Sequence, residues 1–406
     1  MHYFPAARGY VSAAVLLGGL LTAASCGSSD PPVTANLGSS GEGGEPAAPV
    51  GGSGGVAGLS TGGGGCDAAL NTDEHCGACD RSCEAGSTCK EGLCSGVAVV
   101  QERTPGSPWY AANVWFTKDN IYLLTTEGLR IAPRSPTTAP VTTTLVPFES
   151  YSSGLTGDDT YLYWTAGKEL FKYALDGSTP APELVNPDTG QIGSGAISLR
   201  GNTFYLAEPG PGSWRINSLP KAGGTAKEVF SGYAAGVTEL VLSPSGDNIA
   251  WTLSGGEVFL GSSSGGEPAQ VGKGITREGV IPRPQMDETH LYWAEPQEKR
   301  IRRISYEPGA VAEDVATRLV RPVGLLLDEQ YVYFVPARDS QAIDKEETAG
   351  TKLYRVKKTG GVPPELIGST EQSNASRLFH VDDEYVWLPY QDAGGFKSIL
   401  RFSKLL

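Results

Sequence analysis

One short phrase recurs seven times along this 406-residue chain. Its clearest copy is Asp158–Ala166, D-D-T-Y-L-Y-W-T-A, a polar turn that leads into an aromatic strand. The other copies are DNIYL at 119–123, GNTFYL at 201–206, GDNIAW at 246–251, DETHLYW at 287–293, DEQYVYF at 328–334 and DDEYVWL at 382–388. Aligned on Tyr163, they fall at positions 122, 163, 205, 250, 292, 333 and 387. Self-similarity at a period of about 42 residues means that one supersecondary unit is repeated and that each copy buries its apolar faces against its neighbours.

Each unit reads as four short strands. In the second copy the expected inner strand is Ser153–Thr156, followed by Thr160–Thr165, Glu169–Ala174 and an outermost Pro182–Val185. Third strands recur at Leu129–Ile131, Trp214–Leu219, Glu257–Leu260, Arg300–Ile304, Lys352–Val356 and Ser398–Phe402, with Gly-Gly turns after them at 223–224, 265–266 and 360–361. Aromatic and β-branched runs bounded by such turns indicate antiparallel sheet. A four-stranded unit at this period predicts an all-β, seven-bladed β-propeller over 96–406. The last unit runs out after its third strand, whereas a spare strand, Gly96–Gln101, precedes the first inner strand at Val114–Thr117. Pairing that spare strand onto the last blade closes the ring and hides its edges.

Tyr163-Trp164-Thr165 and Tyr292-Trp293-Ala294 resemble the repeats of YWTD-type and related TolB/NHL-like propellers. The fourth residue of that motif, Asp, is replaced by Ala166 and Glu295. The resemblance implies the fold far more than any function. The aromatic residues themselves are expected to pack blade against blade, because alternate strand residues face opposite sheets.

The N-terminus has a different composition. Residues 1–25 read as a signal peptide: Arg8, an apolar run over Val11–Leu21, and small residues leading to Cys26. This pattern resembles a bacterial lipobox, in which Cys26 becomes a lipidated N-terminus; ordinary cleavage is the alternative, since Ala23 stands where that motif carries Leu. Residues 26–65 are dominated by Gly, Ser, Pro, Ala and Thr and contain no aromatic residue, the composition of a flexible tether. Six cysteines follow within 66–95: Cys66, Cys76, Cys79, Cys83, Cys89 and Cys94. In an exported chain this density predicts three disulfides, with fifteen pairings open. The rival reading is a zinc site on Cys76, Cys79, Cys83 and His75. The segment resembles a short Cys-rich module common in exported bacterial proteins, which carries no assigned activity.

The formal net charge of −13 argues against nucleic acid and against anionic membrane surfaces as partners. The catalytic inventory is thin. His290 and His380 lie within predicted strands, and the paired carboxylates Asp158-Asp159, Asp287-Glu288 and Asp382-Asp383 occupy the same turn in different blades, where Asp suits the backbone. No cofactor, metal or catalytic residue is expected. The candidate binding surface is the loop face, formed by segments that enter inner strands and by those that join second to third strands. It carries Trp109, Tyr110, Tyr151, Tyr233, Arg283, Arg321 and Arg377, together with the long 336–351 loop bearing Arg338, Asp339, Asp344, Lys345, Glu346 and Glu347. Aromatic residues with arginine are enriched at recognition hot spots. The expectation is therefore a monomeric binding protein, anchored at the cell envelope or secreted, that recognises a protein or glycan. A propeller hydrolase or lyase using His380, and a purely structural envelope component, are the alternatives.

Overall fold

The computed structural model describes residues 72–73, 76–77, 82–90, 92–102, 113–125, 128–135, 142–147, 152–179, 181–188, 197–210, 212–233, 236–274, 283–337, 351–370, 380–391 and 397–404. They form seven four-stranded antiparallel sheets and one small hairpin. Six sheets, blades 1 to 6, are built from strands in simple chain order, with inner strands Asn113–Phe116, Ser152–Gly157, Ile197–Arg200, Val237–Leu242, Gln285–Met286 and Pro322–Leu327. Blade 2 is representative: inner strand Ser152–Gly157, second strand Tyr161–Ala166, third strand Glu169–Ala174, outer strand Glu183–Asn186. The seventh takes His380–Val381, Tyr385–Gln391 and Lys397–Ser403 from the C-terminal end and Val97–Glu102 from the N-terminal side. Val97 pairs with Arg401 and Glu102 with Lys397, so the ring closes three strands to one as expected.

Seven buried apolar clusters make up the core, and each lies between two adjacent blades. The period-2 alternation of a strand explains the distribution. In blade 2, Tyr163 points into the cluster shared with blade 3, while its neighbour Trp164 points into the cluster shared with blade 1. In blade 6, Tyr333 faces blade 7 and Phe334 faces blade 5. The repeated aromatic pair is thus a two-sided plug that seals two seams at once, which is why the phrase recurs in the sequence. Close packing also fixes some small residues. A Cβ at Gly368 in the outer strand of blade 6 would sit 2.3 Å from the Phe402 ring of blade 7, so glycine there makes room for the plug of the next blade.

The cysteine-rich segment is continuous with this closure. Cys76 is bonded to Cys89 and Cys83 to Cys94, in crossed order around the hairpin Cys89–Lys90/Leu93–Cys94. Both pairs exclude the zinc reading for Cys76 and Cys83, since a disulfide sulfur is not a thiolate ligand. Cys66, Cys79 and His75 lie outside the described residues, as do the signal segment, Cys26 and the linker. The segment docks on the last two blades: Arg401 of blade 7 holds Glu84 at 2.7 Å, and Ser95 bridges Ser369 of blade 6. Residues 65–406 accordingly form one compact unit, with the cystine segment leading straight into the closing strand.

Candidate functional site

The two ends of the ring use their charged residues differently. On the turn face, each inner strand is followed by a residue that opens the turn to the second strand. In blades 2, 5, 6 and 7 this residue is Asp158, Asp287, Asp328 and Asp382. One carboxylate oxygen caps the turn: Asp328 Oδ1 accepts the backbone N–H of Gln330 and Tyr331 at 2.9 and 2.7 Å, and the other three do the same for their own turns. This much follows from Asp chemistry in turns.

The second oxygen reaches across the seam, which sequence reasoning missed. Asp158 meets Lys221 of blade 3 at 2.5 Å, Asp287 meets Lys358 of blade 6 at 2.9 Å, and Asp328 meets Lys404 of blade 7 at 2.6 Å. Asp382 of the last blade meets Arg134 of blade 1 and so spans the ring closure. Each cation is the residue that immediately follows the third strand of its blade. Its backbone N–H is tied to its own blade, to Asn202, Gln330, Glu384 or Asp119, which fixes where the side chain starts. Each also lies 5.3 to 5.8 Å from the ring centroid of the aromatic residue five positions after the aspartate: Tyr163, Tyr292, Tyr333 or Trp387. That ring closes the triad by hydrogen bonding the same carboxylate, Tyr333 Oη at 2.7 Å and Trp387 Nε1 at 2.6 Å.

The other three seams lack both charges together. The matching pairs are Thr117 with Leu175, Gly201 with Ser263, and Ser243 with Tyr306. A carboxylate occurs at this position only where the next blade supplies a cation, so the latch is one feature with two halves. The carboxylates are coupled to it energetically. Burial pushes the Asp287 pKa up, but Lys358 and the N–H groups of Thr289 and His290 outweigh burial and hold it at about 2. Asp158 and Asp328 are lowered by the same balance, and at Asp382 burial is outweighed first by the hydrogen bond from Trp387, then by the turn N–H groups and the Arg134 charge. A carboxyl depressed in the folded state contributes stability that is complete above its unfolded pKa and lost as pH falls through the folded value. Unfolding stability is therefore expected to be flat from neutral pH to about 5 and to fall between about pH 4 and 2. Replacing Lys358 with Met should flatten that acid slope; an unchanged slope in the variant would refute the assignment.

The two described histidines, His290 and His380, belong to packing. His380 sits one seam from blade 1, stacked on Phe116 with ring centroids 4.5 Å apart. Burial, assisted by the Arg134 charge, lowers its pKa to about 4, so it is neutral at neutral pH. It also lies next to the turn that begins at Asp382, on the face opposite the loops. His290 bonds its neighbour Thr289 and contacts Tyr292 within its own blade, and burial lowers its pKa as well.

On the loop face, Tyr233 ends the outer strand of blade 3 and is 88% exposed, the most exposed of the large apolar side chains described. Arg283 faces the buried carboxylate of Glu239 at 3.6 Å, so this candidate is half committed to the interior. A second buried carboxylate, Glu295 at the end of the blade 5 second strand, accepts hydrogen bonds from Trp293 Nε1 at 2.9 Å and Arg300 Nε at 2.6 Å. These carboxylates each face arginine. Arg321 opens the inner strand of blade 6 with a left-handed backbone, φ 36°. Trp109, Tyr110, Tyr151, Arg377 and the 338–350 stretch lie outside the described residues.

No protein-family model matches the chain, and no curated protein matches it. Solved structures do. The WD40 β-propeller domain of Doa1 superposes with a TM-score of 0.52 at 10% identity, covering 76% of this chain and 97% of that one. A streptogramin B lyase gives 0.53 at 12% identity, covering 75% and 96%. Virginiamycin B lyase from Staphylococcus aureus gives 0.51 at 13%, covering 72% and 94%. Likeness at these identities carries the fold and nothing finer: this chain is a seven-bladed β-propeller.

Proposed function

We propose that the chain is a binding protein that displays its propeller on a tether and recognises a partner protein with the loop face. The exposure of Tyr233 carries the reading: an 88% exposed tyrosine stands on the rim of that face, while four aspartates of the opposite face are engaged by cations of the neighbouring blade. Propellers commonly mediate protein interactions, and a large amphipathic ring presented at low entropic cost suits recognition. The signal-like start, Cys26 and the Gly/Ser/Pro-rich stretch support an exported, lipid-held tether at the envelope. The lyase reading draws no support from His380, which is half-buried against Phe116, neutral at neutral pH and on the turn face.

A photo-crosslinking residue substituted at Tyr233 is expected to capture a protein from envelope extracts when carried by the full chain. The same residue at Val362, 43% exposed in a turn on the opposite face, is expected to capture none. Capture from 362 with none from 233 would overturn the reading. Tyr233→Ser should leave the unfolding midpoint nearly unchanged, since exposed substitutions shift stability by only about 0.5 kcal/mol.

A further inference from the structure

We infer that the corner of the loop face between blades 5 and 6 is a docking site for an acidic peptide segment. This inference deepens the loop-face reading and rests on it. Three non-glycine residues among those described have left-handed backbones: Lys299 with φ 55°, Arg318 with φ 59° and Arg321 with φ 36°. All three are cationic, and all three fall in one corner. Lys299 lies in the turn between the second and third strands of blade 5, and Arg318 and Arg321 in the segment that joins blade 5 to blade 6.

Backbone hydrogen bonds tie them together. Leu319 N–H donates to Lys299 O at 2.8 Å, Arg321 N–H to Leu319 O at 3.2 Å, and Ala337 N–H to Arg321 O at 2.8 Å. Leu319 is buried and pins the loop between its two neighbours. A left-handed conformation costs a side-chain-bearing residue free energy, and such strain persists where the surroundings hold it for use. Glycine would satisfy these backbones without strain; lysine and arginine stand there instead.

The charge is available. Lys299 and Arg318 are exposed and form no ion pair among the described residues. The nearby acids are largely engaged: Glu295 with Arg300, and Asp314 with Arg300 and Arg302. Glu298 remains beside Lys299. In a chain of net charge −13, a corner with this surplus of cations selects an anionic partner. The guanidinium fork matches carboxylates in pairs. Val320, 42% exposed between Arg318 and Arg321, adds an aliphatic contact. Carboxylates around an apolar side chain are the chemistry of an acidic peptide. A glycan would call for an exposed aromatic platform, and none of the described residues at this corner supplies one.

The test uses the full chain and a fluorescein-labelled peptide of Asp and Glu carrying two leucines, read by anisotropy at about 50 mM salt, where screening is weak. Lys299→Gln with Arg318→Gln is expected to weaken binding by about tenfold or more. Lys227→Gln, which removes one positive charge at an exposed site on the turn-face end of blade 3, should leave it unchanged, and Lys299→Gln alone should weaken it. Lys299→Gly should raise the unfolding midpoint by relieving the backbone and still weaken the peptide, a combination that a purely structural lysine would not give. Binding by the double variant within about twofold of the parent would overturn the inference. So would dextran sulfate binding that depends on these residues while the peptide shows none, which would make the corner a glycan site. Crosslinking from position 233 separates the failures: if it persists, only the corner is lost, and if it also fails, the loop-face reading falls with it.

Discussion

Trp387→Ala is expected to be among the most damaging single substitutions in the chain, lowering unfolding stability by about 4 kcal/mol. Trp387 has no exposed surface and plugs the seam where the first and last blades meet. Its loss leaves a large cavity in a close-packed seam, and the transfer and cavity terms add. It also removes the indole N–H that bonds Asp382 and the ring beneath Arg134, so the one latch that spans the chain ends is dismantled from the middle. At about 2 °C per kcal/mol for a domain of this size, the thermal midpoint should drop by about 8 °C. Trp387→Phe separates the contributions: it keeps most of the volume and should cost only about 1 to 2 kcal/mol, mainly for the lost hydrogen bond. Equal losses from Phe and Ala would mean that the hydrogen bond, and not the plug, dominates.

Asp328→Ala should cost about 3 kcal/mol, because it strands a partner rather than merely deleting a contact. The carboxylate and the Lys404 ammonium are 17% and 15% exposed, so neither is well solvated. Removing the aspartate leaves the ammonium without its counter-ion, takes the acceptor from the Tyr333 hydroxyl and uncaps the N–H groups of Gln330 and Tyr331. Lys404→Met should cost less, since the methionine still covers the Tyr333 ring. In a double-mutant cycle the pair should show a coupling of about 1 to 3 kcal/mol. Additivity within about 0.3 kcal/mol would mean that the ion pair contributes nothing across the seam.

Much of the fold was legible in the sequence because a propeller writes its geometry locally. Tyr163-Trp164 is visible as an adjacent pair since each residue seals a different seam, and the turn aspartates are visible because they cap their own backbone. The spare strand ahead of Val114 declared the closure because strand count is a property of the chain. The latch partners were not legible. Lys221, Lys358 and Lys404 lie one blade beyond the carboxylates they meet, and Arg134 meets a carboxylate near the opposite end of the chain. Locally each is only a cation after a third strand, indistinguishable from a solvated one. The same limit applies to the loop face. Topology placed Tyr233 and Arg321 on that face, but the seat of Arg283 against Glu239 was not visible, and Lys299 and Arg318 gave no signal because a left-handed backbone is invisible in residues that are not glycine. Asp158-Asp159 and its counterparts looked like paired acids; only the first of each pair turns inward to the seam.

The distribution of latches makes an uneven ring. Seams 5–6, 6–7 and 7–1 form a continuous run of latches across the chain ends, seam 2–3 stands alone, and seams 1–2, 3–4 and 4–5 carry no latch of this kind, although Arg283 meets Glu239 across seam 4–5 on the other face. Native-state hydrogen exchange on the full chain, resolved by strand, reads this directly. The expected result is higher protection for inner and second strands in blades 6 and 7 than in blade 4, which has no latch on either side. Lowest protection in blade 7, where the two ends of the chain meet, would contradict the conclusion that charged latches hold the ring closed.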